Sequence, residues 1–224
     1  MNDNNQRKKA LLFGASGFVG SGILNELLNN GDYEQVTVVV RKQLDVADPK
    51  LIVLTGDYHS LPDLKEKLVA DEVFIALGTT KKHTPDQRKY YQVDHDYPVL
   101  AAKIAKENGA ASVFIVTAIG ANANSGIFYI RTKGETERDI LALNFEHTHI
   151  FRPSMILGNR RENRSFEKFL ITTWSAINPL LIGKRLKKYR GITGENIAWA
   201  MVKAAADQPE KVKIYHWQEM KELL

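Results

Sequence analysis

Short apolar runs rich in β-branched residues alternate along this chain with longer stretches whose apolar residues recur every three or four positions. Ala10–Phe13, Gln35–Val40, Leu51–Thr55, Glu72–Leu77, Ser112–Thr117 and His147–Phe151 read as buried strands. Between the first two, Phe18–Asn29 places Val19, Ile23 and Leu27 on one helical face, and Asn29-Asn30-Gly31 stops it. Pro85–Asn108 reads as mostly helical with an interruption at Pro98, and Ile127–Leu143 as a further helix. This alternation predicts βαβ units and a parallel sheet. Beyond Pro153 the pattern weakens. Ser165–Ile177 reads as a helix ending at Asn178-Pro179, Glu195–Ala206 as a helix capped by Thr193, and Ile214–Trp217 as a last strand.

The chain has 224 residues, of which 44% are hydrophobic, enough for one domain with a core of its own. We expect a single domain over residues 1–224. Met1–Ser154 forms the main nucleotide-binding region, and residues 155–190 with the C-terminus form a small substrate lobe. Cysteine is absent, which excludes disulfides, thiolate metal ligands and thiol nucleophiles. The histidines His83, His95, His147 and His149 form no tight ligand set, so no metal is expected. A net charge of +5 has its densest clusters at Arg160-Arg161 with Arg164, and at Lys184-Arg185 with Lys187, Lys188 and Arg190. No nucleic-acid motif accompanies that charge, so the expected partner is a small-molecule substrate rather than nucleic acid. Met1–Lys9 holds no apolar leader core and no run has membrane-span length, so the expectation is no membrane and a cytoplasmic location. A homodimer is compatible with all of this.

The sharpest local signal is Gly14-Ala15-Ser16-Gly17-Phe18-Val19-Gly20, directly after one strand and opening a helix. Small residues there let the backbone approach a phosphate, while the helix N-terminus supplies unpaired N–H groups and partial positive charge. Gly20 is expected to let the helix pack tightly on the sheet. The fold class that follows is α/β, a Rossmann-type doubly wound parallel sheet with a small C-terminal substrate lobe. At the end of the second strand, an acidic residue would favour NAD(H). Here Arg41-Lys42 stands instead, and a guanidinium pairs with a ribose 2′-phosphate, which favours NADP(H). Asp45 nearby keeps NAD(H) open.

Together with Leu77-Gly78-Thr79-Thr80, Val93–Tyr97, Tyr129–Glu135 and Phe151–Ser154, the glycine turn resembles the short-chain dehydrogenase/reductase superfamily. The resemblance is closer to its atypical branch, the Tat-interacting-protein-type NAD(P)-binding and epimerase-like oxidoreductases, and runs from Lys9 to Ala206. It implies that Leu77, Gly78 and Thr79 line the cofactor, that Asp57 sits at the adenine, and that Pro153 and Ser154 border the nicotinamide. It also implies that Lys133 bonds the nicotinamide ribose.

Tyr129 and Lys133 are four residues apart, one turn on the same helical face. A phenol is a poor acid–base group near neutrality until a neighbouring ammonium stabilises its anion. Tyr129 can then exchange a proton with a carbonyl or alcohol oxygen. The family pattern adds a serine after the preceding strand. Here Thr117 keeps a hydroxyl, while Ala118 has none. The leading expectation is therefore an NADP(H)-dependent oxidoreductase acting on a small carbonyl or alcohol. The alternatives are an NAD(P)H-binding regulator or redox sensor with little turnover, favoured by Ala118, and a nucleotide-sugar epimerase or dehydratase-like enzyme.

Overall fold

The computed structural model describes residues 7–158 and 187–224. The basic clusters at Arg160, Arg161, Arg164, Lys184 and Arg185, the expected helix Ser165–Ile177, and Phe166, Phe169 and Trp174 lie outside the described residues.

Seven parallel strands form the main sheet: β1 (Lys8–Phe13), β2 (Tyr33–Val40), β3 (Leu51–Thr55), β4 (Glu72–Ile75), β5 (Ser112–Val116), β6 (His147–Phe151) and, last in sequence, β9 (Val212–Tyr215). Their spatial order is β3-β2-β1-β4-β5-β6-β9. Two further short strands, β7 (Ile156–Leu157) and β8 (Ile192–Thr193), pair in parallel beside it. Among the described residues the α-helices are α1 (Phe18–Asn29), α2 (Gln87–Tyr91), α3 (Tyr97–Glu107), α4 (Phe128–Ala142), α5 (Gly194–Ala204) and α6 (Trp217–Glu222). The expected doubly wound Rossmann-type sheet is the observed one. The strand order reverses direction at β1, where Phe13 lies in register with Val39 of β2 and Ile75 of β4. Such a reversal leaves a crevice outside the carboxyl ends of the strands, where ligands bind in open α/β sheets.

Side chains alternate across the sheet because a strand has a period of two. Leu12, Val38, Phe74 and Phe114 face α1 and α5, whereas Leu11, Phe13, Val73 and Val113 face α3 and α4. Both faces are covered, which is why the strands read as continuous apolar runs. Each fully buried Leu, Val or Phe contributes roughly 1.5–3 kcal/mol by leaving water.

Two local readings need correction. Pro98 does not break the helical stretch; a π-turn over Gln92–Asp96 carries α2 into α3, with Pro98 in the first turn of α3. Proline lacks an N–H and its ring crowds the carbonyl four residues back, here that of Asp94. The Thr136 hydroxyl of α4 lies 2.8 Å from that carbonyl and 2.8 Å from that of Thr132, so its one proton is shared between them. The last strand is Val212–Tyr215 rather than Ile214–Trp217, because His216 begins α6 with a capping box. The His216 N–H donates to the Glu219 carboxylate at 2.9 Å, and Trp217 is already helical.

The sheet also buries a histidine. His149 is fully buried, stacked on Phe114 at 4.6 Å, with Nδ1 2.9 Å from the Tyr215 hydroxyl. Burial, reinforced by His147 beside it, pushes its pKa down from 6.5 to about 4. The unfolded ring titrates near 6.5, so between the two values the unfolded chain binds more protons. The stability this ring withholds from the unfolded state is complete above about pH 6.5 and is lost as pH falls toward 4. We expect a loss of up to about 3 kcal/mol from this group. Urea unfolding at pH 7 and pH 4.5 measures it, and His149→Phe should flatten the dependence; parallel pH profiles for the two proteins would refute it.

Candidate functional site

Gly14 leaves β1 at φ +93°, a backbone angle that side chains rarely adopt. A Cβ on Gly14 would stand 2.6 Å from the Ala76 carbonyl, and one on Gly20 would stand 1.9 Å from the carbonyl of Gly14. The Gly17 N–H donates to that same Gly14 carbonyl at 2.8 Å. The closeness at Gly20 is therefore against the turn itself rather than against the sheet. Gly22, two residues on and on another face of α1, provides tight helix–helix packing instead: its Cβ would meet that of Ala198 at 2.9 Å.

Ser16 and Gly17 are exposed, and α1 begins with no side-chain cap and no acidic residue in its first turn. Its first N–H groups keep their partial positive charge for an anion. Such a bare cradle of small residues fits a diphosphate. A Cβ on Gly158 or on Gly194 would lie 2.3 Å or 2.6 Å from the Phe18 ring, so Phe18 braces the C-terminal segment against the glycine turn.

A cleft of about 1430 Å³ runs from this turn across the carboxyl ends of β1, β4 and β5. It is lined by Ala15, Ser16, Gly17, Phe18, Val19, Leu77, Gly78, Thr79, Thr117, Tyr129 and Lys133 among others. Eleven of the residues singled out from the sequence thus come together on one surface. Gly14 and Gly20 shape it from behind. Asp94, Lys82, His83, Asp45, Ile156 and Glu195 also line it, although the sequence had placed none of them firmly in the site.

Lys133 is buried, and its ammonium lies 2.7 Å from the Asp94 carboxylate, whose other oxygen accepts the Thr79 N–H at 2.8 Å. Tyr129 is 42% exposed, which leaves its ring open to the cleft. Next to it Tyr90 is buried and its hydroxyl reaches the Thr79 carbonyl at 3.3 Å. Burial first, then Asp94 and Tyr129, hold the Tyr90 phenol well above its ordinary value.

Thr117 is differently placed from the expected serine. Its hydroxyl donates to buried Glu137 at 2.5 Å, and Glu137 is also held by both arms of Arg152, Nε at 2.9 Å and Nη2. With its one proton committed, Thr117 has only lone pairs to offer a ligand oxygen. Ala118 is buried and brings no hydroxyl. Tyr129, by contrast, lines the cleft together with Lys133.

The remaining candidates stand off the cleft. Arg41 and Lys42 are exposed just beyond β2, and Asp57 follows β3. Arg41 and Asp57 nonetheless converge. Burial, then Asp57, push the Tyr97 phenol up to about 12, while Arg41 pulls it down, so both charges act on one hydroxyl. The Asp57 carboxylate accepts N–H groups of His59 and Ser60, the latter holding its pKa below the ordinary range. It therefore caps its own turn. Pro153 follows β6 and accepts the Ile119 N–H at 2.9 Å, and the Ser154 hydroxyl donates to the Tyr189 carbonyl at 2.9 Å.

Residues 14–166, more than half of the chain, match the family described as NAD(P)H-binding. The chain belongs to that family. Among relatives, the chain is 36% identical to "Protein FMP52, mitochondrial" of Candida glabrata, over 92% of this chain and 88% of that protein. It is 33% identical to the protein of the same name from Kluyveromyces lactis, over 96% and 97%. Solved structures with the same fold include MoeE5 in complex with UDP-glucose and NAD (TM-score 0.68, 17% identity, 95% of this chain and 79% of that one). Another is ADP-L-glycero-D-manno-heptose-6-epimerase of Helicobacter pylori (TM-score 0.67, 18% identity, 100% and 82%). The expected NAD(P)H-binding family holds, and the fold is the one these epimerase-type structures share. The cytoplasmic expectation does not hold. Relatives that match most of this chain's length are named mitochondrial. The criteria used, an apolar leader core and a membrane-length run, do not test a mitochondrial address, which is amphipathic and arginine-rich.

Proposed function

We propose that this protein is an NADP(H)-dependent oxidoreductase of a small carbonyl or alcohol, working in mitochondria as its relatives' names suggest. The observation that carries the reading is a single cleft with the glycine turn at one end and Tyr129 and Lys133, one helical turn apart, at the other. In that reading Ala15, Ser16, Gly17 and the first turn of α1 hold the diphosphate. Leu77, Gly78 and Thr79 border the ribose and nicotinamide. Lys133 holds the ribose hydroxyls and Tyr129 protonates the substrate oxygen. A bound nicotinamide supplies or receives the hydride. Thr117, its proton given to Glu137, accepts rather than donates.

Arg41 supports NADP(H) over NAD(H), since it stands at the end of β2 with no acidic residue beside it at positions 40 or 42. Isothermal titration should give NADPH at least about tenfold tighter than NADH, because a charge-assisted bond to phosphate is worth roughly 1.5–3 kcal/mol. Arg41→Glu should abolish that preference without changing NADH affinity by more than about threefold. Equal affinities in the native protein would remove Arg41 from the site.

A further inference from the structure

Thr117 is a hydroxyl on the cleft wall whose direction is fixed. It lies just beyond β5, is buried, and lines the cleft with Tyr129 and Lys133. Its Oγ1 stands 2.5 Å from Glu137 Oε1. A carboxylate has no hydrogen to give, so the threonine proton lies on this bond. That proton is not easily called back. Glu137 is buried and also carries Arg152, which reaches it through Nε at 2.9 Å and through Nη2. A buried carboxylate that lost the hydroxyl would be short of a donor in a place closed to water, which is costly. The Thr117 hydroxyl therefore meets a ligand with its lone pairs.

Glu137 also fixes where that acceptor stands. Tyr129, Lys133 and Glu137 follow one another at four-residue spacing on α4, so they share a helical face. Thr117 is held by the third of them, while Tyr129 is the first, and both line the one cleft. The cleft thus offers a phenol that can donate and a hydroxyl that accepts. Ala118, next to Thr117 in the chain, adds no polar side-chain group. A carbonyl compound with only apolar neighbours satisfies half of this pattern. Under such a ligand the Thr117 lone pairs lose water and gain no partner. A hydroxyl on the carbon beside the carbonyl satisfies both halves. Resting on the reading of Tyr129 as proton donor, we propose that the substrates are α-hydroxy carbonyl compounds, with Thr117 accepting the hydrogen bond of the neighbouring hydroxyl while Tyr129 serves the carbonyl oxygen. The carbonyl carbon gains the hydride of the reduced nicotinamide, which is thereby oxidised. The carbonyl oxygen gains the Tyr129 proton, and the product is a vicinal diol. Tyr129 recovers its proton from water. Thr117 transfers nothing; it selects the substrate.

Near-isosteric pairs test this: hydroxyacetone against butanone, and glycolaldehyde against propanal, each exchanging a hydroxyl for a methyl at one position. With NADPH the hydroxy member should have a kcat/KM at least about tenfold higher, because a site that hydrogen-bonds a substrate hydroxyl rejects the analogue lacking it far more strongly than an apolar pocket does. Thr117→Val should bring each pair within about threefold, mainly by slowing the hydroxy member. Thr117→Ser, which restores the acceptor, should restore the preference. A second readout needs no turnover. In protein saturated with the oxidised cofactor, where neither compound can be reduced, competition followed by saturation-transfer NMR should rank hydroxyacetone above butanone in the native and Thr117→Ser proteins but not in Thr117→Val. Both native measurements stand even if Thr117→Val does not fold. Equal kcat/KM within each pair, with turnover lost in Tyr129→Phe, would overturn the substrate class and leave the oxidoreductase reading standing. Absence of turnover with all four compounds would count against the oxidoreductase reading instead. The NMR ranking would then decide the Thr117 contact by itself, and no preference for hydroxyacetone there would overturn it.

Discussion

Gly20→Ala is expected to lose dinucleotide binding by at least about a hundredfold. The added methyl would stand 1.9 Å from the carbonyl oxygen of Gly14, and 2.6 Å from its carbonyl carbon. Neither atom belongs to a side chain that can rotate away. The turn must open or α1 must shift, and either change moves the α1 N-terminus away from where Gly14–Gly17 aim it. Forced overpacking of this kind costs roughly 1–3 kcal/mol of stability, so the variant should still fold while melting lower. Gly31→Ala is the control, because nothing lies within 4 Å of its added Cβ. It should bind and melt like the native protein. Calorimetric titration with NADPH on both variants decides the matter. Affinity in Gly20→Ala within tenfold of native would mean that the turn is not the phosphate cradle.

The glycine turn was legible before any coordinates because its constraint is local. Three glycines at fixed spacing, a strand before and an amphipathic helix after leave few other backbones. The central strands were legible for a related reason: both sheet faces are covered there, so β4 and β5 show as apolar runs. What escaped the sequence depends on pairs brought together by the fold. Thr117 and Glu137 are twenty residues apart and meet only because α4 packs beside the end of β5. Their contact turns an expected substrate-binding hydroxyl into an acceptor. Asp94 and Asp96 read equally as helix caps or as site residues; the ion pair of Asp94 with Lys133, 39 residues on, is visible only in the fold. Pro98 read as an interruption because its missing N–H is visible in sequence, whereas the Thr136 hydroxyl that serves the orphaned carbonyl is not. The shift of the last strand had a local signal, histidine followed three residues later by glutamate, but it was outweighed by the apolar run Ile214–Trp217. Phe18, inside the motif, lines the cleft as read and also packs its ring close to Gly158 and Gly194, a contact the sequence does not show.

Tyr129→Phe is the second large effect, and it separates chemistry from binding. The ring is 42% exposed on the cleft, so loss of one oxygen should leave the melting temperature and the NADPH affinity nearly unchanged. Removing a positioned general acid lowers turnover by about 10²–10⁴-fold. The full loss is expected here because the neighbouring hydroxyls considered for the role do not replace it. Thr117 has given its proton to Glu137, Ala118 has none, and the buried Tyr90 hydroxyl is turned to the Thr79 carbonyl. Steady-state oxidation of NADPH at 340 nm with a panel of small aldehydes and ketones measures the change. Residual activity above one-tenth of native would remove Tyr129 as the proton donor. Tight NADPH binding by the native protein with no turnover on any member of the panel would point to a second reading, a dinucleotide-binding regulator. In that case the absence of a hydroxyl at Ala118 and the committed proton of Thr117 would be the physical reason that chemistry fails while the glycine cradle still holds its ligand.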